Sequence, residues 1–346
     1  MMAVFAIPGD KDRRTGGFIY EATVLRVLNE LGCATQHMIL PDSFPDPTAA
    51  DMQTTLDRLR SVPPTCPIIL DGLVFGSIDP AGLATVQAPD IAMIHHPLGL
   101  ETGLDAERAK MLRQNETAAL KHTDHVIVPS PHTADILISE FDADPDKITI
   151  APPGFDRPEI VSDAASTKID PPLILSVGLL APRKGHDVLL DALSHITNVS
   201  WQAEIVGKTH DAETRDALIG QIDRLDLSQR VHLSGELEQA QLDTRFRSAS
   251  VFALATRYEG YGMVLSEAML YGLPVVSCSV GAVPETVGDA GILVPVNDAQ
   301  AFAKGLHLAL KNQDEFTAKS IAMAETLPTW TDTARCFVEV VGKLVE

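Results

Sequence analysis

Short apolar runs bounded by turn residues alternate, from one end of the chain to the other, with longer stretches in which apolar positions return every three or four residues. This alternation is the pattern of parallel sheets whose strands are joined by crossover helices. Strands are predicted near residues 3–7, 34–40, 67–71, 91–95, 125–129 and 148–150, and again near 173–177, 202–206, 231–233, 251–255, 274–277 and 291–293. Each half therefore reads as an α/β layer of Rossmann-like type.

Between the halves lies Ala151-Pro152-Pro153-Gly154-Phe155-Asp156-Arg157-Pro158, followed by a polar stretch to Pro171-Pro172. Proline at this density continues neither a helix nor a central strand, so the linker is placed there. An N-terminal domain over 1–160 and a C-terminal domain over 170–327 are expected, as 346 residues and roughly 100 to 200 residues per domain suggest. Residues 328–346 read as a terminal helix, with a Thr329-x-x-Asp332 capping signal and Trp330, Ala334, Phe337 and Val341 at helical spacing. Open parallel sheets bind ligands at the carboxyl ends of their strands, so two such sheets facing each other are expected to enclose a cleft lined by strand-to-helix loops.

Composition narrows the partners. With 47 Asp and Glu against 27 Lys and Arg, the formal charge of −20 repels phosphate backbones, and no nucleic-acid partner is expected. The hydrophobic fraction of 45% with 21% charged residues belongs to an ordinary globular protein. The apolar N-terminal run meets Pro8-Gly9-Asp10 too early for the core of an export signal, and no stretch approaches the ~18 apolar residues of a membrane span. Cys33, Cys66, Cys278 and Cys336 lie far apart without a CxxC pair, which reads as reduced thiols in a cytoplasmic protein.

The most informative loop runs Thr256-Arg257-Tyr258-Glu259-Gly260-Tyr261-Gly262 and opens a helix near Met263 that carries Glu267 one turn in. Gly260 and Gly262 let the backbone around Tyr261 approach a ligand, and the free N–H groups of the helix start favour an anion such as a diphosphate. Glu267 can then reach ribose hydroxyls, and Glu259 would point at a sugar. As an isolated pair, Glu259 would read sooner as a solvated loop acid and Glu267 as a favourable charge in a helix's first turn. Earlier, the strand Leu173–Val177 runs into Gly178-Leu179-Leu180-Ala181-Pro182-Arg183-Lys184-Gly185. Arg183 and Lys184 at a strand end suit phosphate and a charge building on a departing diphosphate, although a Pro-Arg-Lys-Gly turn alone is an ordinary exposed loop.

In the first half, Pro8 to Gly17 follows the first strand, and Gly16-Gly17 opens an amphipathic helix through Leu25, Leu28 and Leu31. Paired glycines there permit close approach of a phosphate or sugar; the alternative is a flexible surface turn. The strand ending in Ile94 places His95 and His96 at the sheet's carboxyl edge. Adjacent imidazoles on an extended chain point to opposite faces, so a shared metal ion is rejected. Asp142-Ala143-Asp144 lies in a polar turn before Ile148 and is read as a solvated loop.

Taken together these segments resemble the retaining GT-B glycosyltransferases of family 4, over nearly the whole chain. The resemblance rests on Glu259 and Glu267 in EGYGMVLSE, the following AMLYGLPVV segment, the Gly-x-x-Pro-Glu turn at Gly281, Pro284 and Glu285, and Lys184 after the second half's first strand. It implies a GT-B fold of two Rossmann-like domains with a C-terminal helix crossing back to the first. It also implies transfer of a hexosyl group from a UDP- or GDP-sugar to an acceptor hydroxyl, with retained anomeric configuration. Lys184 would hold the diphosphate, Glu267 the ribose and Glu259 the transferred sugar; the loop near Gly235 would frame the base. The family's first-domain histidine, set against donor sugar and phosphate, corresponds to His96, with His95 as alternate. The family commonly has Gly-Arg where this chain has Gly178-Leu179, so Arg183 is the candidate replacement.

No cofactor or metal is implied beyond the nucleotide sugar itself, and a homodimer is compatible with the family. Residues 1–60 hold six Lys or Arg against eight Asp or Glu, which favours a small soluble acceptor over a lipid. Two rival readings use the same architecture: a nucleotide-sugar epimerase, which needs no acceptor, and a non-catalytic two-lobed sugar-binding protein.

Overall fold

The computed structural model describes residues 2–101, 103–158 and 168–345. Its strands are β1 (Met2–Pro8), β2 (Ala34–Leu40), β3 (Ile68–Asp71), β4 (Asp90–Met93), β5 (His125–Val128), β6 (Ile148–Ile150), β7 (Leu173–Val177), β8 (Gln202–Val206), β9 (Val231–Gly235), β10 (Val251–Leu254), β11 (Val275–Cys278) and β12 (Gly291–Val294). Every predicted run is a strand, with ends that coincide or shift by at most two residues. The displacement matters at β4, which stops at Met93 and leaves His95 in the loop.

The chain divides into two compact units, Met1–Asp156 with Pro328–Glu346, and Arg157–Leu327. Residues 159–167, the polar part of the expected linker, lie outside the described residues. Each unit holds one six-stranded sheet, in the order β2-β1-β3-β4-β5-β6 and β12-β11-β10-β7-β8-β9, with every pairing parallel. In the first unit Val4, Ala6, Ile68, Leu70 and Ala92 share a core with Leu56, Phe75 and Phe141, while Phe5, Ile7, Ile69, Ile91 and Met93, of opposite parity, are equally buried. Both faces are covered, which is why these strands read as continuous apolar runs.

The terminal helix Trp330–Val345 belongs to the first unit. Thr329 and Asp332 cap it reciprocally, with the Thr329 hydroxyl donating to Asp332 at 2.6 Å and the Thr329 amide at 3.0 Å. Trp330 and Phe337 pack on Tyr20, ring centroids 5.8 and 6.2 Å away, and the Thr333 hydroxyl donates to the Pro152 carbonyl at 2.7 Å.

One acid in this unit reports on its core. Glu116, on the Ala106–Leu120 helix, is fully buried, and burial pushes its carboxyl from 4.5 to about 8. Between those values the folded state keeps a proton that the unfolded chain has released, so this group's contribution to stability falls as pH rises through that window. Glu116→Gln should therefore gain on the wild type between pH ~5 and ~8 in urea denaturation. A constant gap between the two proteins across that range would contradict a buried neutral acid.

Candidate active site

In the second unit the chain starts at β7, runs outward to β9, then returns to the other side of β7 as β10. Strand order reverses there, and at such a point the loops leaving two neighbouring strands splay apart and leave a crevice. β7 and β10 pair through Ile174 with Val251 and Leu175 with Phe252, so the Gly178–Gly185 and Thr256–Gly262 loops emerge side by side.

The loops meet through charge. Lys184, from the turn Pro182–Lys184, donates from Nζ to Glu259 Oε1 at 2.6 Å, and Arg183 Nη1 stands 3.7 Å from the other carboxylate oxygen. The Thr256 hydroxyl lies 3.0 Å from Oε1. Glu259 is only 6% exposed. Burial alone would raise its carboxyl, but Lys184 and Arg183 outweigh it and hold the group below its ordinary value. The carboxylate thus stays charged in a buried setting, its cations aimed into the same corner. The sequence reading treated Lys184 and Glu259 as separate ligands; the structure makes them one ion pair.

Backbone geometry locks this corner. Gly185 has φ +64°, and a Cβ there would sit 1.9 Å from the Ala255 carbonyl oxygen. Gly281, of the Gly-x-x-Pro-Glu turn, has φ +56° and would put a Cβ 2.4 Å from the Glu259 oxygen, which itself accepts from the Ala282 amide at 3.0 Å. Gly185→Ala should cost about 1–3 kcal/mol from the left-handed backbone, and more from the clash. An unshifted urea midpoint for this variant would refute the close approach.

Gly260, Tyr261 and Gly262 lead into the helix Met263–Leu270. Its N-cap is Gly262 at φ 88° and has no side-chain cap. The helix Gly16–Glu30 of the first unit also lacks one, whereas Thr48, Asp105 and Asp211 close the helices Ala49–Arg60, Ala106–Leu120 and Ala212–Arg224. These two starts, like that of the His186–Ser194 helix, therefore keep amide groups that can take an anion. Glu267, half-buried on the Met263–Leu270 helix, is pushed up to about 7 by burial and then by Asp243. Gly235 ends β9 at φ +69° with open space around it.

In the first unit His95, just past β4, lies against the glycine pair: a Cβ on Gly17 would be 3.3 Å from its ring. Tyr20 stands edge-on to the imidazole, 5.1 Å between centroids, and the buried Glu21 approaches Nε2 at 3.4 Å. Gly16 is the first residue of the helix behind them. His96 follows, half-buried, one position further. Asp142 ends the helix Pro131–Phe141 in the left-handed region, and Asp144 accepts the Asp146 amide at 3.0 Å, so this acidic pair serves the turn. Among the described residues no group of three or more His, Cys, Asp or Glu is placed to hold a metal ion, and no helix is long and apolar enough to cross a membrane.

Two family models match the chain in succession. Glycosyltransferase Family 4 covers residues 75–158 and Glycosyl transferases group 1 covers residues 160–325. The chain belongs to glycosyltransferase family 4. Among solved structures, sucrose-phosphate synthase from Thermosynechococcus elongatus superposes with a TM-score of 0.82 at 20% identity, covering 99% of each chain. Anabaena Alr3699/HepE in complex with UDP-glucose superposes at 0.77 and 16% identity, over 99% of this chain and 100% of that one. These likenesses establish the GT-B fold. Among curated sequences, D-inositol 3-phosphate glycosyltransferase of Xylanimonas cellulosilytica is 29% identical over 247 residues, 65% of this chain and 58% of that protein. The chain spans about half the length of the curated relatives it matches.

Against the family 4 pattern, Leu179 stands where an arginine is common, and Arg183 supplies a guanidinium at the same corner, 3.7 Å from Glu259. Three features escaped the sequence reading. Thr256 is one, an unremarkable residue until its hydroxyl meets Glu259. The second is the Arg257–Asp187 fork, 2.9 and 2.6 Å, which ties the Glu259 loop to the helix after Lys184. The third is Glu21 with Asp71, an acid on the apolar stripe of an amphipathic helix beside a strand-terminal acid. A charged residue in phase with Leu25 and Leu28 was the available signal.

Proposed function

We propose that the chain is a retaining hexosyltransferase that uses a nucleoside-diphosphate sugar. The observation that carries this reading is the Lys184–Glu259 pair, with Arg183 beside it, next to the uncapped start of the Met263–Leu270 helix. The helix amides and the two cations receive the diphosphate and the charge it gains on leaving. Glu259 meets the transferred sugar, and Glu267 the ribose. In the first unit the role of taking a substrate hydroxyl is assigned to His95, the alternate to His96, on the support of its packing against Gly17. The acceptor oxygen attacks from the face the diphosphate leaves, and the leaving phosphate takes its proton. The protein contributes positioning and electrostatic stabilisation.

A uridine donor is favoured by the likeness to a protein crystallised with UDP-glucose. The names of an inositol-phosphate glycosyltransferase and a sucrose-phosphate synthase favour a small phosphorylated polyol or sugar as acceptor. Lys11, Arg13 and Arg14, in the loop that enters the Gly16–Glu30 helix, suit such a phosphate.

Thermal denaturation with UDP, GDP and their sugars should show a rise in Tm with one nucleotide, followed by transfer to a sugar phosphate with retained anomeric configuration by NMR. Absence of any nucleotide-dependent shift would overturn the reading, and isomerisation of the donor alone would replace it with an epimerase. Because Lys184 and Arg183 supply the positive charge, turnover should survive excess EDTA unchanged; loss of transfer restored by a divalent cation would contradict this.

A further inference from the structure

Beneath His95 lies a group of acids with no part in the roles above. Glu21 comes from the Gly16–Glu30 helix, Asp71 from the end of β3, and His95 from the loop after β4; these strands are neighbours in the sheet. Glu21 is 0% exposed and Asp71 3%. The two carboxyls lie within reach of each other, and each bears on the other's ionisation. Ionised carboxylates can only accept, so that contact is a hydrogen bond only with a proton between them. Neither oxygen of Glu21 receives a hydrogen bond from an N–H or hydroxyl donor, His95 Nε2 makes none in this arrangement, and among the described residues no Lys or Arg pairs with either acid.

We infer that Glu21 and Asp71 share a proton and, as positioning residues, hold the His95 imidazole neutral, in one orientation and in one tautomer. The location of the proton follows from the amides. Asp71 Oδ1 already accepts from the Leu73 and Val74 N–H groups at 2.8 and 3.2 Å, so negative charge is best placed on Asp71 and the proton on Glu21. Glu21 then donates to Asp71 and keeps its other oxygen, Oε1, as an acceptor 3.4 Å from His95 Nε2. That approach is long, as such contacts often are before substrate binds. The acceptor selects the Nε2–H tautomer and leaves Nδ1 with its lone pair for a hydroxyl donor.

Burial pushes Glu21 up to about 8 and pulls His95 down to about 4. Asp71 is raised by burial and further by Glu21, which draws the shared proton towards Asp71 against the two amides on its Oδ1. Tyr20 braces the ring edge-on, and its own hydroxyl is committed to the Ala151 carbonyl at 2.8 Å. Cys336, from the Trp330–Val345 helix, bears on Tyr20, whose burial raises its phenol further from ionisation. The pair itself stands on these contacts; only its purpose rests on the role assigned to His95 above.

Imidazole 15N–1H correlation spectra of the whole protein, with His95 assigned through His95→Gln, test this without any substrate. Between pH ~5 and ~7 the wild type should show a single Nε2–H tautomer and no imidazolium. Glu21→Gln keeps an oxygen for His95 and an N–H for Asp71, so its spectrum should match the wild type. Glu21→Ala should lose the single-tautomer pattern. A wild-type His95 that is Nδ1–H, averaged or protonated at pH ~6 would overturn the proposal, as would a Glu21→Gln spectrum with mixed tautomers. Should Glu21→Ala not fold, the wild-type and Glu21→Gln spectra still decide. Glu116 also keeps its proton at pH ~7, so the infrared readout is the difference between wild type and Glu21→Gln: a carboxylic-acid band should be lost in the variant, and a featureless difference would equally overturn the shared proton. Expected spectra without sugar transfer would sink the transferase reading alone.

Discussion

Lys184→Ala is expected to lower sugar transfer by about 10²–10³-fold, the loss typical of removing one well-aimed donor from developing negative charge. The same change should destabilise the second unit. Glu259 is buried and would keep the Thr256 hydroxyl but, as a cation, only the more distant Arg183, and breaking a buried pair from one side commonly costs about 3–5 kcal/mol because the remaining charge is stranded. The two effects can be separated. Lys184→Met combined with Glu259→Gln removes both charges together, so the urea midpoint should recover much of the loss while transfer stays low. Steady-state kinetics and denaturation on the three proteins provide the check. A single Lys184→Ala variant with near-normal kcat would remove lysine from the catalytic account, and an unshifted midpoint would remove the buried pair.

Truncation after Leu327 should have the largest effect on stability. Trp330, Ala334, Phe337, Val340 and Val341 are all buried, and the helix that carries them closes a face of the first unit over Tyr20. Phe337→Ala alone should cost about 3–5 kcal/mol, the usual result of emptying a fully buried aromatic site. Calorimetry of the truncated chain should show the first unit melting early, with exposed apolar surface that binds ANS, while the transition of the second unit still responds to nucleotide. Superimposable melting curves for full-length and truncated protein would show that the helix contributes no packing. Tyr20 links this prediction to His95, because one ring touches both Phe337 and the imidazole. Phe337→Ala is therefore expected to disturb the His95 environment at a distance.

The strands were legible because both faces of each sheet are covered, which forces continuous apolar runs of strand length. Their ends were less so. β4 stops at Met93, although Ile94 is as apolar as the residues before it, because pairing and not hydrophobicity ends a strand. The glycines at 185, 262 and 281 were visible as turn residues, but the reason for each is a specific φ or a neighbouring carbonyl oxygen that no local pattern displays. Of the two adjacent histidines the sequence favours His96 with His95 as alternate; the structure adds that His95 packs on Gly17 and Tyr20. Phase along one strand end cannot rank neighbours whose partners come from another helix.

The chain by itself determined that there are two α/β units, where their strands run, which loops carry cations, carboxylates and paired glycines, and that its terminal helix has one apolar stripe. Those properties follow from short-range periodicity and turn chemistry, which any window of a dozen residues contains. Only the tertiary structure decided that Lys184 meets Glu259 across 75 positions, that Thr256 and Arg183 join them, and that Glu21, Asp71 and His95 converge. Sheet order makes neighbours of strands remote in sequence, and a buried carboxyl owes its protonation to whatever those neighbours bring.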